Sequence, residues 1–410
     1  MMSPFLKRGA VLALAFFLTQ PAMGQMPDDA FTAFHRSLLT LDTHADVEPD
    51  LATDKKDPGH LTDRQVDLVK MEKGGLDAVF FIAYAPQGPL TPEGLDQARR
   101  ESLSRLFAIK RMVEAYPERI RLAHTADEAE QIVATGKLAA LIGVENGFPI
   151  GDSLESIKLY YDAGARYMGI THFGHNQLGD SSNPSQALGD AETRHGGLSP
   201  LGRQAIAEMN RLGIMVDVSH AAMTTTIEAA RLSKAPIIAS HSGVRGVADV
   251  ARNLSDEALL AVRDNGGVAQ MVALSGYVKP NPARDEARER VRDKYGLANS
   301  GTSADLPPDM RAAYDADMAA VDRAHPPATL ADFIDHVDYA VKLAGIAHVG
   351  IASDFDGGGG VTGWMNAAES ANVTAELLRR GYGAADIARL WGGNVLRVMR
   401  EVEKAAQSMN

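Results

Sequence analysis

Cysteine is absent from the whole 410-residue chain, which rules out disulfides and thiolate metal sites. Any metal must then be held by His, Asp and Glu, a donor set that suits zinc and similar divalent ions. Positive charge is also in short supply. Lys and Arg number 41 against 53 Asp and Glu, for a formal net charge of −12. Nucleic acid and anionic membrane surfaces are therefore poor partners for this chain. Beyond Gly24 no apolar run is long enough to span a bilayer. There are no internal repeats, and the one low-complexity patch, Gly357–Gly360, reads as a flexible loop. What remains is ordinary globular composition, 45% hydrophobic and 23% charged. The length suits two or three average domains, or one α/β barrel with insertions.

The first 24 residues read as a secretory signal. Lys7 and Arg8 supply the positive start, and Ala10 to Leu18 form an apolar run too short to cross a bilayer. Ala22-Met23-Gly24 places small residues before Gln25, as a signal-peptidase site requires. The expected mature chain, 25–410, is exported to the periplasm or the medium.

Downstream, short apolar β-branched or aromatic segments alternate with helical patterns. Eight segments read as strands: Leu39–His44, Ala78–Tyr84, Ala139–Glu145, Tyr167–His172, Met215–His220, Pro236–His241, Val268–Leu274 and His348–Asp354. Ser104–Ala115, Ser153–Ala163, Pro200–Leu212 and Asp256–Asp264 read as helices, several behind Ser or Asp caps. Alternation of this kind indicates parallel βα units, and eight strands close a (β/α)8 barrel. An open doubly wound sheet would be favoured by a Gly-rich phosphate loop after the first strand, and there is none. The stretch from about Lys279 to Pro327, rich in Arg, Asp, Glu and Ala, breaks the rhythm. It reads as a solvated helical insertion between the seventh and eighth strands of one barrel domain.

Chemistry collects at the strand ends. His44 and Asp46 close the first strand within Asp42-Thr43-His44-Ala45-Asp46. Two residues apart on a strand, they share a face and can offer two ligands to one ion. Glu145 ends the third strand, His172 the fourth, His220 the fifth, His241 the sixth and Asp354 the eighth. In a barrel these ends converge on one face, where such enzymes keep their sites. Buried imidazoles and carboxylates are costly without partners, so the set is expected to ligate metal or itself. His175, past the fourth strand end, reads as a loop residue.

The whole set resembles the membrane dipeptidase (renal dipeptidase) family of zinc peptidases, on amidohydrolase-like barrels. The D-x-H-x-D motif is Asp42 to Asp46, G-x-E is Gly143 to Glu145, and T-H is Thr171-His172. The paired S-H motifs are Ser219-His220 and Ser240-His241; R-N is Arg252-Asn253, and S-D-F-D-G is Ser353 to Gly357. The resemblance runs from about Phe34 to Glu403. It implies two zinc ions, with His44 and Asp46 on one, His220 and His241 on the other, and Glu145 bridging both. Two such ions lower the pKa of bound water and polarise the scissile carbonyl. The resemblance further implies that His172 stabilises the oxyanion and that Asp354 moves the proton. Arg252 would hold the substrate's free carboxylate, with Tyr277 as a second candidate for the same group. Mammalian members use disulfides and a lipid-anchor signal. Neither is expected here, given the missing cysteines and the polar tail 405–410. The loop 173–183 differs from the mammalian one and is expected to line the pocket.

The expected function is an exported dinuclear zinc dipeptidase acting on small dipeptides. Tolerance of D-residues at the C-terminal position and a homodimeric state are left open by the sequence. One rival is a related amidohydrolase acting on other amides, lactones or N-acyl amino acids. Another is a non-catalytic exported binding protein on the same barrel. N-terminal sequencing of protein recovered outside the cytoplasm should begin at Gln25 or a near neighbour. An intact Met1 on that protein would identify the segment as a retained anchor.

Overall fold

The computed structural model describes residues 27–297 and 306–409, so the expected signal segment lies outside the described residues. Nine strands form one parallel sheet: β1 Leu41–Asp46, β2 Ala78–Tyr84, β3 Ile120–Leu122, β4 Leu138–Glu145, β5 Ala165–Gly169, β6 Met215–Asp217, β7 Ile238–Ser242, β8 Val268–Val272 and β9 Val349–Ala352. Eight of them run in the order β1-β2-β4-β5-β6-β7-β8-β9, while β3 pairs on β4 outside that path. The chain just past β9 bonds back to β1. The amide of Asp354 donates to the His44 carbonyl at 3.0 Å, and that of Asp46 to the Phe355 carbonyl at 2.8 Å. The sheet is thus a (β/α)8 barrel, as expected. The short strand β3 carries only three residues, too few for a periodicity to register.

All eight expected strands form, but several end earlier than their sequence suggests. β5 stops at Gly169 and β6 at Asp217, so His172 and His220 sit on the loops that follow. The apolar run continues past the last ladder bond, and the backbone then turns. His220 and Asp354 adopt φ of 66° and 59°, a left-handed conformation that ends any strand. The helices Pro200–Leu212 and Asp256–Asp264 match the sequence, capped by Ser199 on the Gly202 amide and Ser255 on the Ala258 amide. The expected helix at Ser104 begins earlier, at Pro92. Thr91 caps it by accepting from the Gly94 amide, and Pro92 fits the first turn because it needs no donor. The expected insertion contains two helices, Pro282–Lys294 and Pro308–Ala324, joined by Arg284 and Arg288 to Asp322.

The strands are buried on both faces, as parallel sheets require. Val79, Phe81, Ala83, Ile142 and Val144 pack towards the helices, whereas Phe80, Ile82, Leu141, Tyr167, Met215 and Ile238 fill the barrel. Among the described residues no helix is long and apolar enough to cross a membrane.

Asp42 fastens the seam between β1 and β9. Wholly buried, it accepts from the Ser353 amide at 2.9 Å, the His44 amide at 3.2 Å and the Ser353 hydroxyl. Its pKa is raised to about 6, because burial outweighs the hydrogen bonds from Ser353 and His44 that lower it. Asp42→Ala should cost roughly 2–3 kcal/mol, because it strands the Ser353 amide. Asp42→Asn, which keeps an acceptor, should cost less; denaturant unfolding of the two variants compares them.

Candidate metal centre and active site

Three strand-end hydrogen-bond systems aim the polar side chains at one point. The first concerns His44. The buried Tyr167 hydroxyl donates to the Thr43 carbonyl at 3.1 Å, so it can only accept from His44 Nδ1, 3.0 Å away. In its neutral form His44 therefore carries its proton on Nδ1 and turns the Nε2 lone pair to the barrel mouth; against burial, the Glu145 and Asp46 carboxylates raise its pKa well above the usual imidazole range. Tyr167 reaches across only because Gly143 has no side chain. A Cβ there would lie 2.2 Å from the Tyr167 ring, which gives the glycine of the G-x-E motif its reason. The second system concerns His241. Ser240 Oγ donates to Asp217 Oδ2 at 2.7 Å and so accepts from His241 Nδ1 at 2.9 Å, again freeing Nε2. Asp217 also accepts from the Ser219 and Ser240 amides at 3.0 and 2.8 Å. In the third, Asp42 holds Ser353 and thereby the turn that presents Asp354.

The result is a compact cluster. His44 Nε2 lies 3.6 Å from Asp46 Oδ2, 3.7 Å from Glu145 Oε2 and 3.8 Å from Asp354 Oδ1. On the other side of the same carboxylate, Glu145 Oε1 is 3.0 Å from His220 Nε2 and 3.3 Å from His241 Nε2. His172 Nε2 stands 3.8 Å from that oxygen. All of these side chains are buried or nearly so.

The donor set fits divalent cations. His44 Nε2 is buried and has no hydrogen-bond partner, although three carboxylates surround it. His220 Nε2 and His241 Nε2 face one another at 3.0 Å, with the His241 proton already assigned to Nδ1. Ligands about 2.0–2.2 Å from a tetrahedral zinc are about 3.3–3.6 Å apart, and the spacings here, 3.0–3.8 Å, bracket that range. Three groupings of the cluster could each hold an ion: His44–Asp46–Glu145, Glu145–His220–His241 and His44–His241–Asp354. Burial pushes His220 and His241 well below the usual imidazole range, the neutral form a metal needs. Burial alone would raise Glu145. The imidazoles of His44 and His172 and hydrogen bonds from His220 and His241 hold it well below the usual range instead. Asp354 goes the opposite way, raised by burial and by the nearby Asp46 and Glu145 carboxylates.

The cluster forms the floor of a cavity of about 330 Å³, sized for a small ligand. Its wall includes Tyr84, Arg105, Phe173, Leu274 and Tyr277. The sequence-expected residues Asp46, Glu145, His172, His220, His241, Tyr277 and Asp354 all border it. Of the 173–183 loop, Phe173 reaches the cavity, with its ring 4.6 Å from that of His172. His175 points away, accepting from the Ser181 amide at 3.0 Å, and is a structural loop residue as expected. Arg252 lies behind Tyr277, not on the wall. It donates to Ser242 Oγ at 2.7 Å and the His241 carbonyl at 2.6 Å, and its guanidinium is 5.4 Å from the Tyr277 ring. Its buried Nε has no partner. Tyr167 and Asp217 were given no role in the sequence because they are ordinary residues within apolar strands, and Ser240 entered only as part of the S-H motif. The serine that precedes each of His220, His241 and Asp354 was the available signal.

A parallel barrel with imidazoles and carboxylates gathered at its C-terminal mouth marks the class of metal-assisted hydrolases. Within that class the chain belongs to the membrane dipeptidase family (peptidase family M19), whose sequence model matches residues 29–410. It is 31% identical to the dipeptidase aclJ of Aspergillus oryzae over 350 residues, 84% of this chain and 72% of that protein. The crystal structure of the probable dipeptidase PvdM from Pseudomonas aeruginosa is 34% identical, with a TM-score of 0.81 over 92% of this chain and 98% of that one. An amidohydrolase from Pseudomonas aeruginosa shares the fold at 20% identity and a TM-score of 0.67, over 91% of this chain and 98% of that one. The chain is a dipeptidase-family metallohydrolase, and its substrates are of the dipeptide class.

Tyr167→Phe removes the acceptor that fixes the His44 tautomer. Metal affinity should fall about 10- to 100-fold in a competition titration, with the fold intact by circular dichroism. Unchanged affinity would show that His44 needs no such partner.

Proposed function

We propose that this chain is an exported dipeptidase that works with two zinc ions, one held by His44 and Asp46 and one by His220 and His241. Glu145 is shared between them. The observation that carries this reading is the position of Glu145, which turns Oε2 towards His44 and Oε1 towards His220 and His241. Bound ions of this kind acidify water and withdraw charge from a carbonyl oxygen.

The chain's own residues do the rest. His172, lowered in pKa by burial and thus neutral, donates a hydrogen bond to the carbonyl oxygen as it gains charge in the transition state. Asp354 Oδ1 faces the ligands, takes the proton of the attacking water and passes it to the leaving amine. Tyr277 and Arg252 receive the free carboxylate of the dipeptide. Arg252 can turn Nη1 from Ser242 to the substrate carboxylate while Nη2 keeps the His241 carbonyl. The C-terminal residue of the substrate lies towards β7 and β8, where both D- and L-configurations are worth testing.

Metal analysis of purified protein should approach two ions per chain, and Glu145→Gln should weaken both sites. On zinc-loaded enzyme, a dipeptide should be cleaved about 10- to 150-fold better than its C-terminal amide, since a charge-assisted contact is lost. Arg252→Met should remove most of that difference with metal content unchanged. If wild type cleaves acid and amide alike, the broader amidohydrolase reading is the better one.

A further inference from the structure

Two arginines line the cavity, Arg64 and Arg105. Arg64 is fully engaged. It donates to the Asp46 carbonyl at 3.0 Å and pairs with Glu48 and Asp356, each at 3.2 Å. Among the described residues the polar partners of Arg105 lie on its own helix and hold it loosely: the Glu101 carbonyl at 3.3 Å and the Glu101 carboxylate at 3.7 Å. Its side chain is nevertheless mostly covered, at 18% exposure. The guanidinium lies 5.5 Å from the centre of the Tyr84 ring, and that ring meets His172 edge-on at 4.9 Å. One aromatic ring therefore separates a loosely paired cation from His172.

The helix Pro92–Ala115 accounts for this position. Its 24 residues extend roughly 36 Å, whereas the seven residues of β2 extend roughly 23 Å, so the helix overshoots its strand. Side chains along it hold the rim: Arg111 bonds the carbonyls of Pro49 and Leu51 beyond β1, and Arg99 that of Pro149 beyond β4. Arg105 sits between them. In the eight-strand order β2 is second and β7 sixth, so the two face each other across the barrel. Arg105, against the end of β2, and Arg252, bonded to β7, thus stand on opposite sides of the ligand cluster.

We propose that Arg105 is a specificity-determining residue that pairs with a side-chain carboxylate on the N-terminal residue of the dipeptide. The proposal rests on the reading that Arg252 receives the C-terminal carboxylate, which directs the N-terminal residue towards β2. On the rest of this wall Arg64 is already matched by Glu48 and Asp356, and the remaining carboxylates, Asp46 and Asp354, belong to the ligand cluster. That leaves Arg105 as the cation available to an acidic side chain.

The experiment compares Glu-Ala with Gln-Ala on zinc-loaded enzyme, with Ala-Ala as a third substrate. Wild type should favour Glu-Ala over Gln-Ala in kcat/KM by about 10- to 150-fold. Arg105→Met should bring that ratio close to one, and Arg105→Lys should restore part of it. Calorimetric binding of the products should follow the same order, glutamate above glutamine in wild type and equal in Arg105→Met. A wild type that cleaves all three alike overturns the assignment of Arg105 and leaves the dipeptidase reading standing. An equal loss on Glu-Ala and Gln-Ala in the variant overturns it as well. A wild type that cleaves none of the three overturns the reading of the site and the assignment with it.

Discussion

Everything at this barrel mouth depends on protons being placed on the outer nitrogens of two imidazoles. A histidine offers one lone pair when neutral, and which nitrogen carries it is decided by the partner of the other. Tyr167 can only accept from His44, because its own proton is committed to the Thr43 carbonyl. Ser240 can only accept from His241, because its proton is committed to Asp217. Both chains of donation end on groups with no freedom to reverse, one a main-chain carbonyl and the other a buried carboxylate. The inward lone pairs, the stranded His44 Nε2 and the close approach of His220 to His241 all follow from this.

These supports have their own requirements. Tyr167 needs the space left by Gly143, and Asp217 and Asp42 must be buried beside backbone amides that would otherwise lack acceptors. Carboxylates in such places contribute less as charges than as fixed acceptors. The strain of a left-handed His220 and Asp354 is tolerated because these neighbours over-determine the turns. Stability and site geometry are therefore carried by the same residues.

Much of this was legible in the sequence because a barrel maps strand ends onto one face. Eight apolar segments with polar termini were enough to assemble His44, Asp46, Glu145, His172, His220, His241 and Asp354. What the pattern could not convey was anything that depends on distance between strands. The Tyr167–His44 bond joins residues 123 apart in the chain, and Asp42 meets Ser353 across 311. Strand ends were overrun for a related reason: hydrophobicity persists past β5 and β6 into loops buried against the site. Arg252 shows a third limit. The family resemblance, not its residue type, marked it as a group facing substrate, and the folded chain places it behind Tyr277 with both Nη atoms engaged.

Below the ligands the barrel is solid. Tyr167 and Phe80 pack ring against ring at 5.1 Å, and Leu41, Leu141 and Ile238 fill the remaining cross-section, all fully buried. Among the described residues this packing closes the axis below the ligands, so substrate and products share the mouth above them. Two amino acids formed from one dipeptide must leave by the route their parent took, and the first to depart clears the way for the second. In a vessel with one mouth, release of the two products is a step that can limit turnover alongside bond cleavage.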